Sequence, residues 1–275
     1  MRLGIVTDIH FSPAGTPPGR WHNPLVYDRA DELLDSAIGF FEDKQLDAVV
    51  VLGDLSNFGD ATSIARGVAA LGRIAVPVYV VAGNHDALQS IDLWRTIIES
   101  GTSGQIGLPH ASQTGSFPIR VTGIGEIHGT AAENEWHIPD GSITAPSDEP
   151  LVILVHFPLL SRVEEINAAG LKFAGAFHWD RTEAELLART APTILLHGHL
   201  HVRHTTVERS ILQIGFASLI EPPHAVAIVE IEESAGEIIV SVEHHDIASY
   251  DVPVLPVLSP AESTLTFTDG AWNTF

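Results

Sequence analysis

Val51-Leu52-Gly53-Asp54-Leu55-Ser56-Asn57-Phe58-Gly59 closes an apolar run that begins at Ala48. Val49, Val50, Val51 and Leu52 form an unbroken hydrophobic stretch, the pattern of a strand buried on both faces. Gly53 lets the backbone turn without a Cβ clash, and Asp54 stands where that strand should end. A carboxylate straight after a buried strand is costly unless something binds it. Taken alone, Asp54 reads as a solvated loop residue. The same arrangement occurs four more times, however. Leu3-Gly4-Ile5-Val6-Thr7 runs into Asp8-Ile9-His10, and Val78-Tyr79-Val80-Val81-Ala82-Gly83 runs into Asn84-His85-Asp86. Leu151-Val152-Ile153-Leu154-Val155 runs into His156, and Thr193-Ile194-Leu195-Leu196 runs into His197-Gly198-His199-Leu200-His201.

In open α/β sheets, ligands bind beyond the carboxyl ends of the strands. Five apolar runs ending this way bring Asp, Asn and several His to one edge of a sheet. Residues two apart on a strand point the same way, so Asp8 and His10 are expected to reach one ion together. Mixed oxygen and imidazole donors suit Mn, Fe, Zn or Co better than Ca. The candidate donors exceed what one ion takes, which indicates a two-metal site.

The motif series D-x-H, G-D-x-x-N-x-G, G-N-H-D, a lone strand-end His and G-H-x-H resembles that of the calcineurin-like metallophosphoesterases. It stands here as Asp8/His10, Gly53 to Gly59, Gly83 to Asp86, His156, and Gly198 to His201. Spacing and chain length are most similar to the small bacterial class III cyclic-nucleotide phosphodiesterases and glycerophosphodiesterases of that family. The resemblance implies an α/β fold, a four-layer α/β/β/α sandwich of two mixed sheets. It implies two divalent ions (Mn, Fe, Zn or Co), one taking Asp8, His10 and His201, the other Asn84, His156 and His199, with Asp54 as bridge. The implied reaction is hydrolysis of a small phosphodiester, in which a hydroxide shared by the ions attacks phosphorus in line.

By the same resemblance His85 is a catalytic residue beside Asp54. It either protonates the leaving oxygen or donates to a phosphoryl oxygen, work suited to an imidazole. Asn57 and Asp86 are candidates to orient His85 or the ligands, and His197 to orient or pack behind the last motif. The family often has Asp where Asn57 stands, and an amide cannot support an imidazolium as a carboxylate would. The alternatives are a phosphomonoesterase or nucleotidase, a nuclease, or a non-catalytic scaffold. The complete donor set and the retained His85 argue against the scaffold.

The 275 residues suffice for one large α/β domain or two small ones, and 45% hydrophobic residues can fill a core. There is no cysteine, which excludes disulfides and thiolate metal sites. Residues 1 to 7 are strand-like and lack the features of a signal peptide, and no apolar run approaches a membrane span. The expectation is a soluble, cytoplasmic protein with no membrane partner. The net charge of −21, from 35 acidic and 14 basic residues, leaves no basic footprint for nucleic acid.

Ala30, Leu33, Leu34, Ala37, Ile38 and Phe41 follow the period of an amphipathic helix, and residues 60 to 74 and 90 to 99 repeat the plan. Residues 12 to 24 are a Pro/Gly-rich loop carrying Arg20 and Trp21, and 159 to 180 is a long connection carrying Phe177 and Trp179. These four are the substrate-contact candidates, each weighed against a plain packing role. Residues 117 to 124 read as an antiparallel strand of a second sheet, and 129 to 150 as irregular. Beyond His201 the pattern is all-β, with His224, His244 and His245 taken as surface residues. The organisation expected is a catalytic domain over 1–250. A tail over 251–275 would pack on the domain or on a partner subunit of a homo-oligomer.

Overall fold

The computed structural model describes residues 1–101, 106–107, 119–124, 128–130, 135–137, 145–172, 176–178, 180–234, 236–252 and 255–274. Its architecture follows from strands with hydrophobic side chains on both faces. In Ala48–Leu52 every residue is buried. Ala48, Val50 and Leu52 face one core, while Val49 and Val51 face another. Leu151–Leu154 divides the same way, with Val152 and Leu154 on one side and Leu151 and Ile153 on the other. Successive strand residues point to opposite faces, so each sheet needs cover on both.

Two sheets meet face to face to supply the shared cover. The first runs in the order Ala271–Thr274, Glu262–Thr268, Glu237–Asp246, Ala225–Ser234, Arg2–Val6, Ala48–Leu52, Val78–Val81, Ile106–Gly107. The second runs His204–Glu208, Ile211–Gly215, Thr193–His197, Leu151–Leu154, Arg120–Gly123. Between them lie Leu3, Ile5, Val50, Leu52, Leu154, Leu196 and Ile214, among others. The outer face of the first sheet is covered by helices Ala30–Glu42, Ala61–Leu71 and Ile91–Ser100. Leu186, from helix Asp180–Leu187, packs on the outer face of the second. The layers are therefore helix, sheet, sheet, helix, and both sheets are mixed. The second and third helices start where predicted because Asp60 and Ser90 cap them. Each side chain accepts a backbone N–H three residues on, at 3.0 and 3.2 Å.

Arg2–Val6, Ala48–Leu52 and Val78–Val81 are parallel, as are Leu151–Leu154 and Thr193–His197. All five carry the motif residues just past their carboxyl ends. Arg120–Gly123 does join the second sheet, but it pairs parallel with Leu151–Leu154, not antiparallel. Within 129 to 150 the chain is not wholly irregular: Glu135–His137 pairs with His128–Thr130 and Ala176–His178 in a small sheet. His224 and His244 are buried rather than exposed, the first bonded to Leu219 O at 2.9 Å and the second packed on Phe216. No helix among the described residues is long and apolar enough to cross a membrane.

The last two strands extend the first sheet, and Trp272 ties them across to the second. Its ring joins the inter-sheet core and its Nε1–H donates to Ser210 O at 2.8 Å. Trp272→Ala removes both contacts and should cost about 3–5 kcal/mol of stability by denaturant unfolding. A loss well under 1 kcal/mol would mean that the last strand is only laid on the sheet edge.

Candidate metal centre

Asp8 and His10 do not lie on a strand, contrary to the expectation from alternation. The first strand stops at Val6, and both residues sit in left-handed backbone with φ of 54° and 53°. The loop they form runs alongside the loop after Leu52. Asp8 N–H donates to Gly53 O, both Ile9 and His10 N–H to Asp54 O, and Phe11 N–H to Leu55 O, all at 2.9–3.1 Å. Asp54, His199 and His201 are left-handed too, at 52°, 66° and 54°. Such backbone costs a non-glycine residue free energy and persists only where its surroundings hold it in place.

The motif glycines are explained by the same crowding. Gly53 has φ 89°, and a Cβ there would run into the His156 ring. At Gly83 a Cβ would strike the Asp54 carboxylate, and at Gly198 the Thr7 hydroxyl and Asp8. These glycines let loops from both sheets close on one point.

The buried carboxylates of Asp8 and Asp54 each have one oxygen satisfied by protein donors and one aimed inward. Asp8 Oδ2 accepts Thr7 Oγ1–H at 2.7 Å and His199 N–H at 3.2 Å, while Oδ1 makes no hydrogen bond of good geometry among the described residues and faces His201 Nε2 at 3.2 Å. Asp54 Oδ1 accepts His85 N–H at 2.9 Å, while Oδ2 lies 3.6 Å from His10 Nε2 and 3.3 Å from His156 Nε2. On the far side of Asp54, Asn84 Oδ1 is 3.2 Å from His156 Nε2 and 2.9 Å from His199 Nδ1. His156 Nε2 and His199 Nδ1 are 3.2 Å apart.

The donors thus form two groups that share Asp54 Oδ2. Asp8, His10 and His201 make one, and Asn84, His156 and His199 the other. Donor atoms bonded at about 2.1 Å to one ion lie about 3.0–3.4 Å from one another, close to the spacing seen here except at His10, whose Nε2 is 3.6 Å from Asp54 Oδ2 and 4.0 Å from Asp8 Oδ1. Both nitrogens of His10 are buried without a hydrogen-bond partner among the described residues, as expected of a ring kept for something other than protein. The residues therefore fit a pair of divalent ions.

Hydrogen bonds behind the rings fix which nitrogen faces inward. His156 Nδ1–H donates to Leu52 O at 2.7 Å and leaves Nε2 for the centre. His201 Nδ1–H donates to Glu221 Oε2 at 2.9 Å. Glu221 was absent from the residues singled out in the sequence. It had a signal: Phe216-Ala217-Ser218-Leu219-Ile220-Glu221 is another largely apolar run ending in an acid.

Other candidates sit near the centre in different ways. His85 is half-buried, its ring edge-on to His10 with centroids 4.6 Å apart. Its Nδ1–H donates to the backbone carbonyl of Asn57 at 2.8 Å, so the Asn57 side chain does not hold it. Asp86 does not orient His85 either. Its carboxylate accepts Leu55, Ser56 and Gly83 N–H and the Ser56 hydroxyl, at 2.8–3.1 Å, and locks the second motif to the third. Burial and the nearby Asp54 charge raise its pKa to about 6. His197 points away from the centre. Nδ1–H donates to Gly198 O at 2.8 Å, and Nε2 meets His204 Nε2 at 3.1 Å in a fully buried imidazole pair.

Arg20 is exposed on the short ribbon formed by Gly19–Arg20 and Pro24–Leu25. Trp21 packs partly against the helix-side core, with Lys172 Nζ 5.1 Å above its ring. The ribbon is joined to the last motif by His22, whose Nε2–H donates to Leu200 O at 2.9 Å. Phe177 belongs to strand Ala176–His178, and Trp179 lies outside the described residues.

The sequence model of the calcineurin-like phosphoesterases matches residues 1–203. The chain belongs to this family. Among curated proteins it is 24% identical, over 79% of its length and 78% of the other's, to a probable cyclic nucleotide phosphodiesterase of Rhodopseudomonas palustris. Among solved structures it resembles a dimetal phosphatase from Danio rerio, with TM-score 0.60 and 14% identity over 90% of this chain and 96% of that one. A purple acid phosphatase from yellow lupin, Lupinus luteus, gives TM-score 0.54 and 13% identity over 96% of this chain and 53% of that one. At such identities these two likenesses establish the metallophosphoesterase fold. The chain is thus a calcineurin-like phosphoesterase with a cluster of metal-competent residues at its sheet edge.

Without metal, protons stand in for the cations. Burial alone would lower the pKa of His201, but Asp8 and Glu221 outweigh it and raise it to about 10. Burial likewise opposes a charge on His156, but Asp54 and Asp8 raise its pKa to about 9. Asp8 is raised by burial and lowered more strongly by His201 and His156, to about 2, and Asp54 is held well below the usual carboxylate range by His156 and His85. His10 is pushed down to about 3 by burial and by His85. An ion held by His156 and His201 would have to displace these protons, so its uptake would release protons and its affinity would rise with pH. Calorimetric titration of metal-depleted protein in buffers of different ionisation enthalpy should detect proton release and tighter binding between about pH 6 and about pH 8. Binding that neither releases protons nor depends on pH would contradict this assignment of protons.

Proposed function

We propose that this protein is a two-metal phosphodiesterase acting on small phosphodiesters. The observation that carries the reading is Asp54, whose Oδ2 faces both donor groups while Oδ1 accepts the N–H of His85. In this reading Asp8, His10 and His201 hold one ion, Asn84, His156 and His199 hold the other, and Asp54 spans them. Ions held there would generate a nucleophile from water and offset the charge building on the phosphoryl oxygens.

The chain's own side chains supply the remaining roles. His85 Nδ1–H is committed to Asn57 O, so Nε2 is the nitrogen that delivers a proton to the leaving oxygen. Because a backbone carbonyl orients the ring, Asn in place of Asp at position 57 keeps this contact. Preference for diesters is supported by the Rhodopseudomonas palustris relative, matched over most of both chains. Preference for small substrates is supported by charge. At −21 the chain has few cations to neutralise successive phosphates of a polynucleotide. Arg20 and Trp21 are the substrate contacts proposed on the ribbon, with Phe177 and Trp179 on the long connection.

Asp54→Ala should abolish activity and lower the metal content at both positions, read by elemental analysis; two ions retained at full occupancy would remove Asp54 from the bridging role. His85→Ala should keep its metal and lose about 10²–10⁴-fold in kcat on an alkyl diester. The loss should shrink with a nitrophenolate leaving group, which needs no proton. Equal losses on both substrates would move His85 to the phosphoryl oxygen. Catalytic efficiency on a matched aryl diester should exceed that on the aryl monoester and on a single-stranded oligonucleotide. Monoester preference would favour the phosphomonoesterase reading, and salt-sensitive oligonucleotide cleavage the nuclease reading.

A further inference from the structure

Glu221 is a fully buried carboxylate that touches no lysine or arginine among the described residues. Both its oxygens are nevertheless engaged. Oε2 accepts His201 Nδ1–H at 2.9 Å, and Oε1 accepts the backbone N–H of Asn23. The segment that carries it is held rigidly against the first motif. Ser218 Oγ accepts the N–H groups of Ile220 and Glu221 at 3.1 and 3.2 Å, and Ile220 N–H donates to Asp8 O at 3.2 Å. One side chain thus connects an imidazole whose Nε2 lies 3.2 Å from Asp8 Oδ1 to the ribbon that bears Arg20 and Trp21. The ribbon meets the same motif again where His22 Nε2–H reaches Leu200 O while its Nδ1 accepts Lys172 N–H at 3.2 Å.

A buried acid is an expensive way to fill space, and its chemistry here is specific. A carboxylate on the outer nitrogen of an imidazole fixes the tautomer that offers a lone pair at the inner nitrogen, and makes that nitrogen a stronger donor to metal. From this we infer that Glu221 is a positioning residue: it tightens the ion held by Asp8, His10 and His201 and docks the Gly19–Leu25 ribbon beside that ion. The inference rests on the ligand grouping proposed above. It also predicts an asymmetry, because His156 in the other group relies on the Leu52 carbonyl and has no bond to Glu221.

The test is titration of metal-depleted full-length protein with Co²⁺ alone, followed by calorimetry and by the visible absorption of the bound ion. Wild type should bind two ions. Glu221→Gln keeps the size of the side chain and removes its charge. One of the two sites should weaken by about 10–100-fold, with a changed absorption band, while the other keeps its affinity. If Glu221→Gln does not fold, Glu221→Asp, which keeps the charge and shortens the reach, is read in the same way. Equal weakening of both sites, or of neither, would overturn the inference and leave Glu221 a structural residue. Fewer than two ions on the wild type would instead overturn the ligand grouping, and this inference with it.

Discussion

Two carboxylates, buried at a point where the sheets converge and each with one oxygen left for a cation, constrain the rest of this molecule. Asp8 and Asp54 are almost wholly removed from water. Uncompensated anions in that setting would be prohibitive. Imidazoles from both sheets surround them, so the inner edge of the sandwich is held by charge as well as by the apolar contacts deeper in. The hydrogen bonds from His156 to Leu52 O and from His199 N–H to Asp8 cross between the sheets at this point. Metal competence and inter-sheet docking therefore share residues, and a change to one affects the other.

Apolar runs ended by a polar donor proved to be a local signal for a non-local meeting point. Such a run fixes both a buried strand and the place where the chain leaves it, and the parallel arrangement then brings those places together. The helix over Ala30–Glu42 was equally legible, since its buried face is written in its own spacing. What could not be read depends on partners far along the chain. The direction of Arg120–Gly123 is set by its neighbour Leu151–Leu154. His224 and His244 are buried because other segments close over them, and a lone histidine carries no sign of that.

Within the candidate site, Asp8, His10, Asp54, Asn84, His156, His199 and His201 were legible as a set, but the way they meet was not. Alternation does not govern Asp8 and His10, because their strand ends at Val6. The loops reach inward by left-handed kinks instead, which residue spacing cannot report. Sequence position makes Asp86 a candidate to orient His85 or the ligands, whereas its carboxylate gathers backbone N–H groups from two loops. Glu221 stands outside the motif series, and the largely apolar run before it, Phe216 to Ile220, is not a strand but a loop that follows Ile211–Gly215.

The left-handed backbone at five of the seven proposed ligands also narrows what can occupy those positions. Apart from glycine, the side chains that best tolerate this conformation are Asn, Asp and His. The Asp and His residues that stand at those five positions are therefore types that the chain's own shape already favours. Conformation and coordination chemistry select the same short alphabet. Exchange of a donor for a thiolate or a longer carboxylate would meet resistance from the main chain before any ion was consulted. Descendants of this sequence that come to prefer another metal would be expected to change the partners behind the rings and keep the rings themselves.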